Sequence, residues 1–141
     1  MIKNYKKLCR NINRCMDLHS NSTKLIDRNY KIENIKEFEK LIEIMKEEAE
    51  FNRPDARNAL AFLYYYGIGV YKNRDTSLEL FQRAAKEGND QAHFMCYSML
   101  GKDHPDKYIH FTKALLSNYP KAINSLGFLL EHKEMKQLMG N

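Results

Sequence analysis

The sequence predicts an all-α fold, a short right-handed α/α superhelix (a solenoid) of about three helix-turn-helix repeats. Alanine recurs at positions 56, 92 and 122, each time four residues after an Asn or Gly that can end a helix. Apolar residues at helical spacing follow each alanine, and a glycine turn joins two such patterns between residues 56 and 88. Self-similarity at a period of 30 to 36 residues is typical of stacked helical repeats.

The composition is typical of a folded protein of one domain. Of the 141 residues, 43% are hydrophobic and 29% are charged, and no stretch approaches the roughly 20 apolar residues that cross a bilayer. The basic N terminus lacks the apolar run of a secretory signal. Three cysteines without a CxxC pair are typical of a reducing compartment. We therefore expect a soluble intracellular protein.

The N-terminal segment, residues 1–31, is a basic arm or a capping helix. It holds eight Lys and Arg residues against two Asp residues, whereas the whole chain carries a formal charge of only +5. An apolar stripe at helical spacing runs through it: Tyr5, Leu8, Cys9, Ile12, Met16 and His19. Three interpretations stay open, namely a helix that covers the first repeat, a basic arm for an acidic partner, nucleic acid or anionic membrane, and a transit peptide.

The next two helices are expected at residues 35–51 and 56–66. Glu and Lys alternate at i, i+3 and i, i+4 through the first of them, which indicates a solvated face rather than a catalytic carboxylate pair. In the second, Ala56, Leu60, Ala61 and Tyr64 share one face. Gly67 and Gly69 follow it, and glycine supplies the positive φ that ends many helices.

The remaining helices follow from the same periodicity. Asn73 or Asp75 can cap a helix that carries Leu78, Phe81, Ala84 and Ala85 and ends at Gly88. Further helices open at positions 92 and 122. In the shorter middle unit, residues 101–105 replace the glycine turn, with Asp103 as the expected cap and Pro105 in the first turn of the following helix.

The unit from residue 56 carries a recognisable motif. Ala-x-x-x-Leu-Ala-x-x-Tyr-x-x-Gly-x-Gly-Val, followed by Ala-Ala-x-x-Gly at 84–88, resembles the Sel-1-like repeat, a relative of the tetratricopeptide repeat. The signature positions are Ala56, Leu60, Ala61, Tyr64, Gly67, Gly69, Val70, Ala84, Ala85 and Gly88. Departures are Ala61 for the usual Gly, Ser77 for Ala and Leu80 for an aromatic residue. The resemblance implies a repeat domain over 32–141, with its best repeat at 54–89 and degenerate repeats at 90–119 and 120–141.

The resemblance also implies a function. Such repeats are non-enzymatic scaffolds or adaptors, which present a concave helical groove to a peptide or helix of another protein. By this resemblance the groove residues fall at fixed distances after each repeated alanine: Asn58, Phe62, Tyr65, Phe94, Ser98, Asn124 and Phe128. The alternative for Phe62, Phe94 and Phe128 is ordinary packing between helices.

No pattern in the sequence indicates catalysis, a cofactor or a metal. The five histidines are scattered, and His104 and His110 are expected to occupy a solvated turn and a packing position rather than to form a ligand pair. We therefore expect no enzyme activity and no cofactor. Two alternatives to the scaffold stay open: a nucleic-acid or anionic-membrane adaptor that acts through residues 1–31, and a self-assembling structural repeat that forms a homo-oligomer.

Overall fold

A computed structural model describes residues 2–18, 35–51 and 53–138. Within these ranges the chain forms seven α-helices and no β-strand, which confirms the all-α prediction. In chain order the helices are α1 (Ile2–Leu18), α2 (Ile35–Glu50), α3 (Pro54–Tyr66), α4 (Arg74–Lys86), α5 (Asp90–Met99), α6 (Lys107–Leu116) and α7 (Pro120–Leu138). From α3 onward each helix packs against the next one in the chain, as expected for stacked hairpins.

The hairpin of α3 and α4 is built by residues that favour its turn and its caps. Gly67 has φ 73°, the left-handed conformation, and its N–H donates to Leu63 O at 2.8 Å. The side chain of Asn73 accepts the N–H of Thr76 at 3.1 Å and so caps α4. Both the glycine ending and the Asn73 cap are confirmed.

Gly69 is needed because the turn lies directly on α2. Its φ is 70°, and a Cβ at this position would lie 2.4 Å from Ile42 Cδ1 and 2.5 Å from Phe38 Cε1. Any larger residue would therefore push the turn away from two core side chains. The close approach explains why the repeat has a second glycine here.

The main core surrounds α3. Residues 56–63 of this helix are all buried, because α1, α2 and α4 pack around it. Ser77, the departure from the usual Ala, is fully buried, and its hydroxyl donates to Ala61 O at 2.7 Å. The added polar group is thus satisfied within the core.

The second hairpin, α5 and α6, differs from the sequence prediction at its turn. The expectation that Asp103 caps α6 and that Pro105 lies in its first turn is wrong, since α6 begins at Lys107 with Asp106 at the cap position. The N–H of Asp106 donates to His104 Nδ1 at 3.1 Å, so a separate turn fills residues 101–106. Lys107 Nζ closes this turn by donating to Tyr97 O at 2.7 Å and to Leu100 O at 2.9 Å.

The three repeated alanines occupy the same place in successive hairpins. Ala56, Ala92 and Ala122 are each the third residue of their helix and are all buried. The preceding turns also correspond, because Gly88 has φ 91° and Asn118 has φ 58°. Asn52, the third expected terminator, lies outside the described residues.

Helix α1 packs against both α2 and α3. Leu8, Cys9 and Ile12 of the predicted stripe are buried, whereas its basic side chains Lys6, Lys7, Arg10 and Arg14 are exposed. His19 lies outside the described residues, as do the side chains of Tyr5 and Met16. Nowhere in the described part of the chain is a helix both long and apolar enough to cross a membrane.

Candidate interaction surface

Asn58 was expected on an open groove, and the structure corrects this. Its side chain is fully buried, and its amide donates to Gln91 Oε1 at 2.6 Å and to Asn13 Oδ1 at 3.1 Å. A helix covering the first repeat was one interpretation of residues 1–31, but its contact with Asn58 was not predicted. An Asn predicted to bind a partner therefore binds the chain's own first helix.

Asn13 of α1 bridges the starts of two repeat units. Its side-chain amide donates to Asp55 O at 3.1 Å, and its backbone carbonyl accepts from Gln91 Nε2 at 2.9 Å. Asp55 and Gln91 each precede one of the repeated alanines, so α1 reaches from the start of α3 to the start of α5. It thus covers the part of the expected groove centred on Asn58.

Phe62 is also buried, which corrects its expected exposure. Its ring meets that of Phe81 edge to face, with centroids 4.9 Å apart and an angle of 79° between the planes. Phe62 therefore fills the space between α3 and α4 within one hairpin, as the packing alternative expected. Such aromatic pairs stabilise a core rather than a surface.

Tyr65 and Phe94 are half-buried and belong to aromatic clusters. The guanidinium of Arg74 lies 4.8 Å above the ring of Tyr65, a cation–π contact. The ring of Phe94 lies 5.9 Å from that of Tyr97 and 5.6 Å from that of Tyr119. Both side chains are partly accessible to solvent while they pack within the chain.

Ser98, Asn124 and Phe128 are exposed, as expected. The hydroxyl of Ser98 donates to Phe94 O at 3.0 Å. Phe128 is 59% exposed, and its ring lies 4.4 Å from that of His132. These three side chains are therefore accessible to solvent.

Sequence reasoning missed most of the exposed apolar surface near the C terminus. Besides Phe128, α7 exposes Ile123, Leu129 and Leu130. A signal was present, because three consecutive apolar residues at 128–130 span about 200° of the helix circumference and cannot all face one neighbour. The exposed apolar residues of α6, also missed, are Tyr108, Ile109 and Leu116.

A buried arginine was likewise not foreseen. Arg57 is buried, its Nε donates to Ala49 O at 2.6 Å, and its guanidinium pairs with Glu87. Arg57 thereby ties the end of α2 to the end of α4. The role is structural, since both contacts lie within the chain and leave the charge satisfied.

The two cysteine thiols that the structure describes lack the exposure and the low pKa that a nucleophilic thiol needs. Cys9 and Cys96 are both free and buried, and burial raises the pKa of each to about 12. A buried thiol with a raised pKa is a poor nucleophile and metal ligand at neutral pH. Among the described side chains, no group of three or more His, Cys, Asp and Glu residues is placed to hold a metal ion.

Comparison with known proteins places the best repeat in a family. Residues 54–89 match the model of the Sel1 repeat. The fold is similar to the crystal structure of a Sel1 repeat protein from Oxalobacter formigenes, with a TM-score of 0.61 and 22% sequence identity, over 89% of this chain and 98% of that chain. No curated protein matches the sequence.

The match covers the hairpin of α3 and α4 with its two glycines, its Asn73 cap and its alanine-lined core. The similarity to the solved structure is one of fold, and it covers most of the helices rather than this hairpin alone. The chain therefore carries a Sel1 repeat at residues 54–89 within an all-α helical repeat fold of the kind found in Sel1 repeat proteins.

Proposed function

We propose that the chain is a non-enzymatic protein-interaction scaffold whose partner surface lies on α5 and α7. Sel1 repeats generally mediate contacts between proteins, which supports the scaffold role. The observation that carries the location is the group of exposed apolar side chains on α7, where Phe128 is 59% exposed and Ile123, Leu129 and Leu130 are exposed on the same helix. Large exposed apolar groups beside polar ones are typical of sites that bind other proteins.

Repeat geometry supports a shared face for four of the groove residues. Ala92 and Ala122 are equivalent, so the side chains two residues after each alanine correspond to each other, and so do the side chains six residues after it. Phe94 thus corresponds to Asn124, and Ser98 corresponds to Phe128. A mixed surface of aromatic and amide groups can hold apolar side chains of a peptide or helix and hydrogen-bond its backbone.

In this proposal α1, and not a partner, occupies the end of the predicted groove around Asn58. The polar contacts of Asn13 with Asp55, Asn58 and Gln91 hold α1 in place, and its buried Leu8 and Ile12 join the main core. We propose that residues 1–31 act as a capping segment for the repeat stack. The units 90–119 and 120–141 then supply the open surface as degenerate repeats.

The basic residues of α1 do not by themselves indicate a nucleic-acid or membrane partner. Four basic side chains spread over about two helical turns are an ordinary solvated face when the opposite side packs into a core. The exposed apolar groups of α7 instead fit a protein surface, which is either a different protein or a second copy of this chain.

Capture of partners by paired variants tests the proposal. Phe128→Ala is compared with Tyr71→Ala, because Tyr71 is 95% exposed but lies in the turn between α3 and α4 rather than on α5 or α7. Tagged protein is used to recover partners, which are quantified by mass spectrometry. We expect Phe128→Ala to lower recovery of the specific partner by at least about tenfold, as for an interface hot spot, and Tyr71→Ala to leave it unchanged.

Two controls make the result decisive. Circular dichroism melting confirms that both variants keep the fold, and sedimentation over a range of concentrations separates a homo-oligomer from a hetero-complex. Equal recovery of every partner by Phe128→Ala and the wild type would refute the proposed surface.

A further inference from the structure

Two histidines from neighbouring helices meet in the second hairpin. Nδ1 of His93, on α5, lies 2.9 Å from Nδ1 of His110, on α6. The ring centroids are 5.1 Å apart and the planes meet at 42°. His93 is only 6% exposed, and His110 is half-buried.

The distance places a condition on the protons of the two rings. A hydrogen bond between two Nδ1 atoms needs one ring to donate and the other to offer an unprotonated nitrogen. A neutral pair meets this condition, and so does a pair with one imidazolium, which donates to the neutral ring. A doubly protonated pair has no acceptor and brings two cations into contact.

The surroundings of His93 mostly disfavour protonation of its ring. Burial is the largest cause that lowers the pKa of His93, followed by His110 and Lys113, whereas Asp90 raises it. From α4, Lys86 lines the same surface cavity of about 330 Å³ as His93 and Lys113.

The same pattern holds around His110. Burial again contributes most to lowering its pKa, with smaller contributions from Lys113 and His104, and Asp106 acts in the opposite direction. Both rings therefore bind protons less readily in the folded chain than in the unfolded chain.

We propose that the His93–His110 contact is a pH-sensitive clasp between α5 and α6, closed while at least one ring keeps an unprotonated Nδ1 and released when both rings are protonated. The inference does not depend on the proposed function, because it concerns the packing of one hairpin.

The direction of the pH effect follows from linkage. Since the folded-state pKa of each His lies below its ordinary value of 6.5, the unfolded chain takes up protons first as the pH falls. Unfolding therefore becomes more favourable as the pH falls below about 6.5 and through the folded-state pKa values. Above that range both rings are neutral in both states, and the clasp contributes fully.

The test compares His110→Asn with the wild type and with His132→Asn. Asn places an amide atom near the position of Nδ1, does not titrate and has a helix propensity similar to that of His. His132 is exposed on α7 and serves as the matched control. Urea unfolding is measured between pH 7.5 and 5.0, together with amide hydrogen exchange of α5 and α6 relative to α4.

We expect the unfolding constants of the wild type and of His132→Asn to rise more on acidification than that of His110→Asn. The rise in the unfolding constant should differ about tenfold for each pH unit by which the pKa of His110 is lower in the folded chain than in the unfolded chain. Exchange in α5 and α6, corrected for the intrinsic rate, should accelerate more than exchange in α4. Identical pH dependence in all three proteins would overturn the proposal.

A second measurement on the unmodified chain covers the case in which His110→Asn fails to fold. Long-range proton–nitrogen NMR reports the protonation of each ring nitrogen. At pH 7.5 we expect one protonated and one unprotonated Nδ1 in the pair, and titration of both rings below pH 6.5. Two rings that titrate at or above 6.5, or two Nδ1 atoms of the same type, would contradict the clasp.

Discussion

The side-chain amide of Asn58 donates to Gln91 Oε1 at 2.6 Å, and this buried bond joins α3 to α5. Both residues also hydrogen-bond to Asn13, so the link between successive repeat units is shared with α1. Buried polar networks of this kind specify one arrangement of helices, because each partner left alone would carry a desolvation cost. Because Gln91 and α1 bury Asn58 in this way, the surface that another protein can reach does not include Asn58.

A double-mutant cycle should show that Asn13 and Asn58 act together. We expect Asn13→Ala and Asn58→Ala each to lower the free energy of unfolding by about 1–2 kcal/mol. The double variant should lose less than the sum, with a coupling of about 0.5–1.5 kcal/mol. Urea unfolding measures all of these, with the exposed Asn124→Ala as a control that changes stability little. Strict additivity would mean that α1 is not held by this contact.

Gly69→Ala should lower stability far more than Gly101→Ala. At Gly69 a new Cβ meets Ile42 and Phe38 and the backbone has φ 70°, whereas at Gly101 nothing lies within 4 Å of the added atom. We expect a loss of about 2–3 kcal/mol at Gly69 and a change within about 0.5 kcal/mol at Gly101. Thermal and urea unfolding check both values, and equal effects would contradict the packing of the turn on α2.

Arg57→Lys should not be a conservative change. Lys has no counterpart of the Nε that donates to Ala49 O while the rest of the guanidinium pairs with Glu87. We expect a loss of about 1–2 kcal/mol in the free energy of unfolding. The pair of the exposed Arg53 and the half-buried Glu48, at 3.4 Å, supplies the control, since Arg53→Lys should cost less than about 0.5 kcal/mol. If the two substitutions cost the same, Arg57 does not tie α2 to α4.

Cys9 and Cys96 should resist alkylation until the chain unfolds. Burial raises the pKa of both thiols to about 12, so the reactive thiolate is scarce and shielded at pH 8. In a Cys15→Ser background, we expect both to react on the order of a thousandfold more slowly in native protein than in urea. Mass spectrometry after timed exposure to iodoacetamide gives the rates. Fast native labelling of either thiol would show that α1 or α5 is not packed as described.

Local signals predicted the helical repeat well. Three features depend only on residues within a few positions of one another: the alanine at the third position of α3, α5 and α7, the end of α3 at Gly67, and the Asn73 cap of α4. Their physical causes are helix periodicity, positive φ and satisfaction of the first N–H groups. The same reasoning was wrong at Asp103 and Pro105, where hydrogen bonds of His104 and Lys107 favour a separate turn.

The groove was predicted less well because its exposure depends on distant contacts. Asn58 is covered through a hydrogen bond to a residue 45 positions earlier, and no local spacing encodes that pairing. Phe62 faces Phe81 because both fill one hairpin. Ser98, Asn124 and Phe128 are exposed as expected, and the apolar neighbours of Phe128 follow from having more apolar residues on α7 than one packing face can bury.

Photo-crosslinking in cells tests the central claim, that the surface around Phe128 meets another protein, most directly. Benzoylphenylalanine replaces Phe128 in one protein and the exposed Tyr71 in another, and crosslinked products are identified by mass spectrometry. We predict a discrete crosslink to one protein from position 128 and none to that protein from position 71. Position 128 giving no crosslink, or the same products as position 71, would contradict the account.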